Sequence, residues 1–239
     1  MGRLYTDAPS YFLDLIMDWI NYLPALGKGA LMTIKLTVYS SVFGTIFAFA
    51  CGVGRLSENY LIKALSVSLI EIFRGTSLLV QLFWLFFALP VVGKLLGINL
   101  QLSPIIAGTL ALSLNIGAYG AEVVRGALQA VPPSQLEAAK ALDFSPRQTL
   151  WRISVPQAIP EMMPSFGNLA IQNLKDTALV SLIGLADLAF RAEQLRLLTQ
   201  ESATIYTLLL FMYFGMALVL TALMKLLERY TSRWRAGRS

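Results

Sequence analysis

Lys175 and Asp176 stand side by side in a stretch of mostly apolar residues. An ionisable side chain inside a membrane span is a functional-site candidate by default, because leaving it there without a purpose is costly. Neighbouring residues on a helix point about 100° apart, so these two need not pair with each other. Together with Asn168, Gln172 and Asn173 they either line a polar translocation path or hydrogen-bond neighbouring spans. Asn115, in another apolar stretch, is a further candidate. Glu71/Arg74 and Glu122/Arg125 are each spaced i,i+3, which lets the partners meet on one helix face. Both pairs fall near the ends of apolar stretches, where paired and snorkelling charges are tolerated. Four acidic residues in or beside such stretches (Glu71, Glu122, Glu161, Asp176) would suit a cationic solute, but each has a structural reading as well.

Catalytic chemistry finds little to work with. The chain has no histidine, and its single cysteine, Cys51, sits in the apolar run Phe47–Ala50. That excludes a disulfide framework and argues against zinc or iron sites. No Gly-x-x-x-x-Gly-Lys-Ser/Thr loop is present to cradle a nucleotide's phosphates. No nucleophile–base pair stands out either.

The elements that must position these residues are membrane helices. The 239 residues are 56% hydrophobic and only 14% charged, with a mean hydropathy of +0.63. Soluble domains carry about 25% charged residues. A span needs about 20 mostly apolar residues, and five stretches qualify, at about 28–53, 65–90, 104–127, 159–183 and 204–227. We read one membrane domain over 1–239, all-α, with five transmembrane helices. The net charge of +5 reflects cytoplasmic anchors between and after the spans rather than a nucleic-acid surface. Arg55, Lys63, Arg125, Lys140, Arg147, Arg152 and the C-terminal cluster Lys225, Arg229, Arg233, Arg235 and Arg238 fall on one side. The N-terminus is therefore expected outside and the C-terminus in the cytoplasm. The first residues lack a cleavable signal pattern. Tyr11, Phe12, Leu15, Ile16, Trp19 and Ile20 would form one apolar face of an interfacial helix.

Residues 128–157 form the longest polar connection, and they are patterned. Ser134 precedes Glu137 by three residues and Ser145 precedes Gln148 by three, with Pro146 between, so two capping boxes are predicted. The expectation is a short helix, a turn at Asp143-Phe144, and a second short helix stopped near Pro156. Ala138, Ala139, Ala141 and Leu142 make a small apolar face suited to a partner's groove.

These residues resemble the membrane subunits of type I ATP-binding-cassette importers, specifically the polar amino-acid branch. The family signature Glu-Ala-Ala, three residues, Gly, nine residues, Ile, one residue, Leu-Pro is matched in spacing by Glu137-Ala138-Ala139, Asp143, Ile153 and Val155-Pro156. Phe73–Gln81, Ala118–Gly126 and Leu174–Leu179 are similar to the same branch. The resemblance implies a type I importer permease fold whose loop carries cytoplasmic coupling helices seated in a cleft of an ATPase. It assigns Glu137, Ala138, Ala139, Leu142, Asp143 and Pro156 to coupling, and it allows a gate role for Glu71, Arg74, Glu122 and Arg125. The implied partners are a second permease chain (identical or related), two ATP-binding-cassette subunits, a periplasmic or extracellular solute-binding protein and membrane lipid. No cofactor is expected in this chain; ATP and magnesium would belong to the ATPase. The implied location is a bacterial inner membrane, crossed several times. Asp143 departs from the family's glycine, and its tolerance of the left-handed conformation should preserve the turn.

The rival readings are a zwitterionic osmolyte such as ectoine as substrate, a secondary transporter, an ion channel and a membrane assembly protein. A secondary transporter usually shows repeated halves and a channel needs a charged or carbonyl-lined filter; neither is evident in the chain.

Overall fold

The computed structural model describes the backbone of residues 8–236 and the side chains of Trp19 and residues 21–231. Among them every regular element is helical. The long helices are α1 (Ala8–Gly54), α5 (Pro104–Gln129), α8 (Val155–Asp176) and α10 (Ser202–Ala236). Shorter ones are α2 (Tyr60–Gly75), α3 (Leu78–Phe83), α4 (Leu89–Leu95), α6 (Pro133–Ala141), α7 (Pro146–Thr149) and α9 (Leu188–Thr199). Of the apolar face expected over 11–20, only Trp19 has a described side chain; it packs near Phe211 at a ring separation of 6.3 Å. The other side chains of that face lie outside the described residues.

Among the described residues, four helical stretches are long and apolar enough to cross a membrane: Asn21–Gly54, Leu78–Leu95, Pro104–Gln129 and Ser202–Thr231. Three of them coincide with expected spans. The second expected span, 65–90, is corrected, because the helix breaks between Gly75 and Leu78. Thr76 and Ser77 adopt extended backbone there (φ −117°, ψ 152° and φ −67°, ψ 136°). Glycine and two hydroxyl residues offer the chain an alternative to the helical ladder, and the crossing begins afresh at Leu78. The fourth expected span is α8, continued by a 3-10 turn (Thr177–Ile183) that ends on Gly184 in the left-handed region, φ 82°. It has the length of a crossing and packs against α5 and α10, but its polar residues separate it from the four apolar stretches.

Two π-turns share one cause. Trp84–Ala88 and Leu150–Ser154 each lie just ahead of a proline, Pro90 and Pro156. Proline has no N–H for the carbonyl four residues back, so the ladder slips by one. Leu89 N donates to Trp84 O and Val155 N donates to Leu150 O. This corrects the expectation of a stop near Pro156: the chain passes through the π-turn directly into α8, with Pro156 in its first turn.

The α6–α7 connection follows the predicted helix–turn–helix order with one cap reassigned. Ser145 and Gln148 form the predicted capping box, Gln148 N donating to Ser145 Oγ (3.3 Å) and Ser145 N donating to Gln148 Oε1 (2.9 Å). Ser134 caps nothing, because α6 starts a residue earlier, at Pro133, with Pro132 as its N-cap. The fixed φ of proline suits a first helical position. At the other end Asp143 has φ 57°. Phe144 N donates to Ala139 O (3.0 Å) and Asp143 N to Lys140 O (2.9 Å), the bond pair of a Schellman cap. Aspartate thus occupies the position glycine usually fills. Asp143→Gly is expected to raise stability by up to about 1 kcal/mol by relieving the left-handed strain. Thermal unfolding of the purified chain checks it, and a lowered midpoint would contradict it.

Candidate functional site

The first cluster of predicted site residues is the α6 surface. Glu137, Ala138, Ala141, Leu142 and Asp143 are exposed, with Leu142 at 69%. Ala139 faces the other way and is 1% exposed, so it seats α6 on its own chain rather than presenting it outward. The result is a short helix with a small apolar outer face, held at one end by the Schellman cap.

The second cluster is α8, whose two faces differ. Glu161, Asn168, Gln172 and Lys175 are exposed and recur at spacings of 7, 4 and 3, one helical stripe. Gln172 Nε2 donates to half-buried Asp176 Oδ1 at 2.9 Å, one turn on. Asn173 leaves this group. It is 2% exposed and donates from Nδ2 to Ser40 Oγ (2.7 Å), Ser41 Oγ (3.0 Å) and Thr37 O (3.3 Å) on α1. Of the two roles open to this residue, bonding between spans is the one it occupies.

Asn115 also turns to a neighbour. Its Nδ2 donates to Phe73 O (3.3 Å) and Gln81 Oε1 (3.4 Å). Gln81 Nε2 donates to Phe73 O (2.8 Å), Thr76 Oγ1 (2.8 Å) and Thr76 O (3.2 Å). The two amides therefore satisfy carbonyls freed by the break between α2 and α3, which would otherwise be orphaned in an apolar setting. Gln81 was not among the predicted site residues; its signal was the helix-breaking Gly75-Thr76-Ser77 just before it.

Of the two charged pairs, one forms. Arg125 Nε donates to Glu122 Oε2 at 2.9 Å, and Arg55, from the end of α1, pairs with the other carboxylate oxygen. Arg125 also reaches Gln129 Oε1 at 2.5 Å. Glu122 thus ties α1 to α5 where both end. Glu71 and Arg74 form no salt bridge with each other. Arg74 instead lies over the Tyr119 ring, 5.5 Å from its centroid, since the last turn of α2 faces α5.

Residues 40–233 match the family model described as binding-protein-dependent transport system inner membrane component. The chain belongs to this family. It is 64% identical over 225 residues to a probable amino-acid ABC transporter permease of Sinorhizobium fredii, with 94% of each chain covered. It is 32% identical to an L-cystine transport system permease of Bacillus subtilis, over 93% of this chain and 92% of that one. Among solved structures, an amino acid ABC transporter matches with a TM-score of 0.80 at 34% identity, over 90% of this chain and 97% of that one. A MetNI methionine ABC transporter structure, at 20% identity and a TM-score of 0.70 over 87% and 96% of the two chains, shares the fold. The protein is a multi-pass membrane permease component, a transport subunit rather than an enzyme.

The permease also holds a buried carboxyl that the predicted site did not include. Asp187 is 0% exposed and caps α9, accepting from Phe190 N at 2.9 Å. Beside it Leu188 N donates to Thr33 Oγ1 (3.1 Å), so α1 and the start of α9 are locked together. Gly29 permits that approach: a Cβ there would lie 2.8 Å from both Asp187 O and Leu188 Cα. Asp187 lies in the connection between the span regions. Burial pushes its pKa up from 3.8 to about 6, against the lowering effect of the Phe190 bond. The folded state then binds more protons than the unfolded state between those values, so stability falls as pH rises through that window. The unfolding midpoint is expected to drop between pH 4.5 and pH 7, by the equivalent of about 2 kcal/mol. Asp187→Asn keeps an acceptor for the cap and should flatten the profile. A wild-type midpoint independent of pH would contradict this. The signal that could have found it is its residue type, an aspartate directly before Leu188-Ala189-Phe190 at the head of a helix.

Proposed function

We propose that this permease forms half of the translocation path of an ATP-driven importer for polar amino acids. The observation that carries the reading is the α6 face. A rigidly capped helix that exposes Glu137, Ala138 and Leu142, and buries only Ala139 in its own chain, is built to enter a groove on another subunit. That partner would be an ATP-binding-cassette subunit holding ATP and magnesium. Two such subunits, a second permease chain and a solute-binding protein complete the assembly. Its relatives' names support an amino acid as cargo.

The polar stripe of α8 supports its role as path lining. Glu161, Asn168, Gln172 and Lys175 would be poorly placed against lipid, and facing water or a second permease chain relieves that cost. With α8 counted as a crossing there are five. The lysine and arginine distribution then puts the N-terminus outside and the C-terminus in the cytoplasm of a bacterial inner membrane. ATP closure of the paired ATPases would press on α6 of each permease chain and switch the path between its two faces as a rigid-body motion.

Proteoliposomes containing the assembled complex test this. Uptake of a labelled amino acid is expected only with the binding protein outside and ATP available to the ATPase. Uptake driven by an ion gradient without ATP would replace this reading with a secondary transporter.

A further inference from the structure

We propose that the turn joining α7 to α8 holds the phosphate of an anionic phospholipid, with Arg147 and Arg152 as its ligands and Trp151 as its anchor in the headgroup layer. The three residues, with Ser145 and Gln148, line an open cavity of about 420 Å³. No carboxylate is among them, and among the described residues neither arginine forms a salt bridge. Both arginines are exposed, and Trp151 is 53% exposed. The π-turn before Pro156 makes this arrangement: it widens the helix over Leu150–Ser154. Leu150 packs inward on the cluster of Ala127, Leu128 and Val155, while its neighbour Trp151 points out.

Position selects lipid. Val155 opens α8, the helix read above as a crossing, so Trp151 sits one turn before that helix, at the membrane–water interface on this reading. Tryptophan is enriched at that level, its apolar rings and polar N–H matching the interface. Two guanidinium groups beside it can each give a phosphate two parallel hydrogen bonds. A basic residue near an anionic surface strengthens binding about fivefold, so the pair would contribute about 25-fold. The proposal needs the chain to lie in a membrane with α8 crossing it. It does not depend on which solute is carried or on ATP.

The test is native mass spectrometry of the full-length permease with its co-purifying subunits, titrated with phosphatidylglycerol and, as control, phosphatidylcholine. Phosphatidylglycerol is expected to be retained selectively. The double variant Arg147→Gln, Arg152→Gln should lower that retention at least tenfold without changing the phosphatidylcholine background. Arg147→Lys with Arg152→Lys, which keeps the charge, should restore most of it, and this separates a charge effect from misfolding. Unchanged phosphatidylglycerol retention in the glutamine variant overturns the proposal. So does complete displacement of the lipid by millimolar inorganic phosphate, which would make the site one for free phosphate. Loss of the ATPase subunit from the glutamine variant at unchanged lipid retention also overturns it, in favour of a protein contact.

Discussion

Gly117→Val is expected to leave little folded permease to extract from the membrane. A Cβ at Gly117 would sit 2.7 Å from Gly44 O and 2.7 Å from Phe47 Cδ1. The first of these is backbone, which cannot step aside without separating α1 from α5 along their length. Gly44 is similarly tight, 2.6 Å from Ile116 Cγ2 and 3.1 Å from Ser113 O, and Gly52 meets Val124 Cβ at 2.7 Å and Ala121 O at 2.8 Å. The two helices therefore approach on small residues over several turns. In a bilayer close packing of this kind carries helix association, because apolar surface alone gains little by leaving lipid. Overpacking usually costs about 1–3 kcal/mol, and a clash against backbone in the main helix contact should exceed that. The control is Gly126→Val on the same helix, where a Cβ meets nothing within 4 Å; it should extract and unfold like wild type. Equal yields and unfolding midpoints for the two variants would show that the α1–α5 contact is not the determinant of the fold.

Ala138→Arg is expected to cut ATP-dependent uptake at least tenfold while leaving the unfolding midpoint within about 0.5 kcal/mol of wild type. Ala138 is exposed, so a long charged side chain there disturbs nothing inside the chain. It would occupy the space a partner's groove needs and bring in an unpaired charge. The same substitution one residue on should behave differently. Ala139 is 1% exposed, and arginine there must unseat α6 from its own chain, lowering stability and uptake together. Measuring uptake, ATPase co-purification and unfolding on both variants separates docking from folding. Ala138→Arg with normal uptake would remove α6 as the coupling element.

How much of this the residues reveal on their own depends on the range of the forces involved. Burial in lipid is read along the chain, and so three apolar crossings, the all-helical class and the absence of nucleotide-binding motifs follow from sequence. Local capping is read nearly as well. Ser145-Pro146-Arg147-Gln148 forms its box, and Asp143 takes the left-handed turn that signature spacing requires. Ser134 shows where local reading fails, since the two prolines ahead of it start the helix, Pro132 as N-cap and Pro133 as its first residue. The second crossing moved because Gly75-Thr76-Ser77 breaks the helix there, and Gln81 just beyond the break and Asn115 from α5 satisfy the carbonyls it frees.

Charged and amide side chains were the least legible, because their meaning depends on what lies across the gap. Spacing gave Glu71–Arg74 and Glu122–Arg125 equal standing, yet the first pair is forgone for the Tyr119 ring and the second gains Arg55 from another helix. Asn168 and Asn173 sit five residues apart on α8 and look alike in sequence. Five residues is well over one turn, so one faces outward and the other enters the α1 contact. Sequence by itself determined that the chain crosses a membrane as helices and carries a capped loop at the family's signature spacing, since hydrophobic length and cap chemistry act within a few residues. Tertiary structure alone decided which polar groups are spent holding the helices together and which remain exposed, because helix rotation and crossing are set by packing between distant segments.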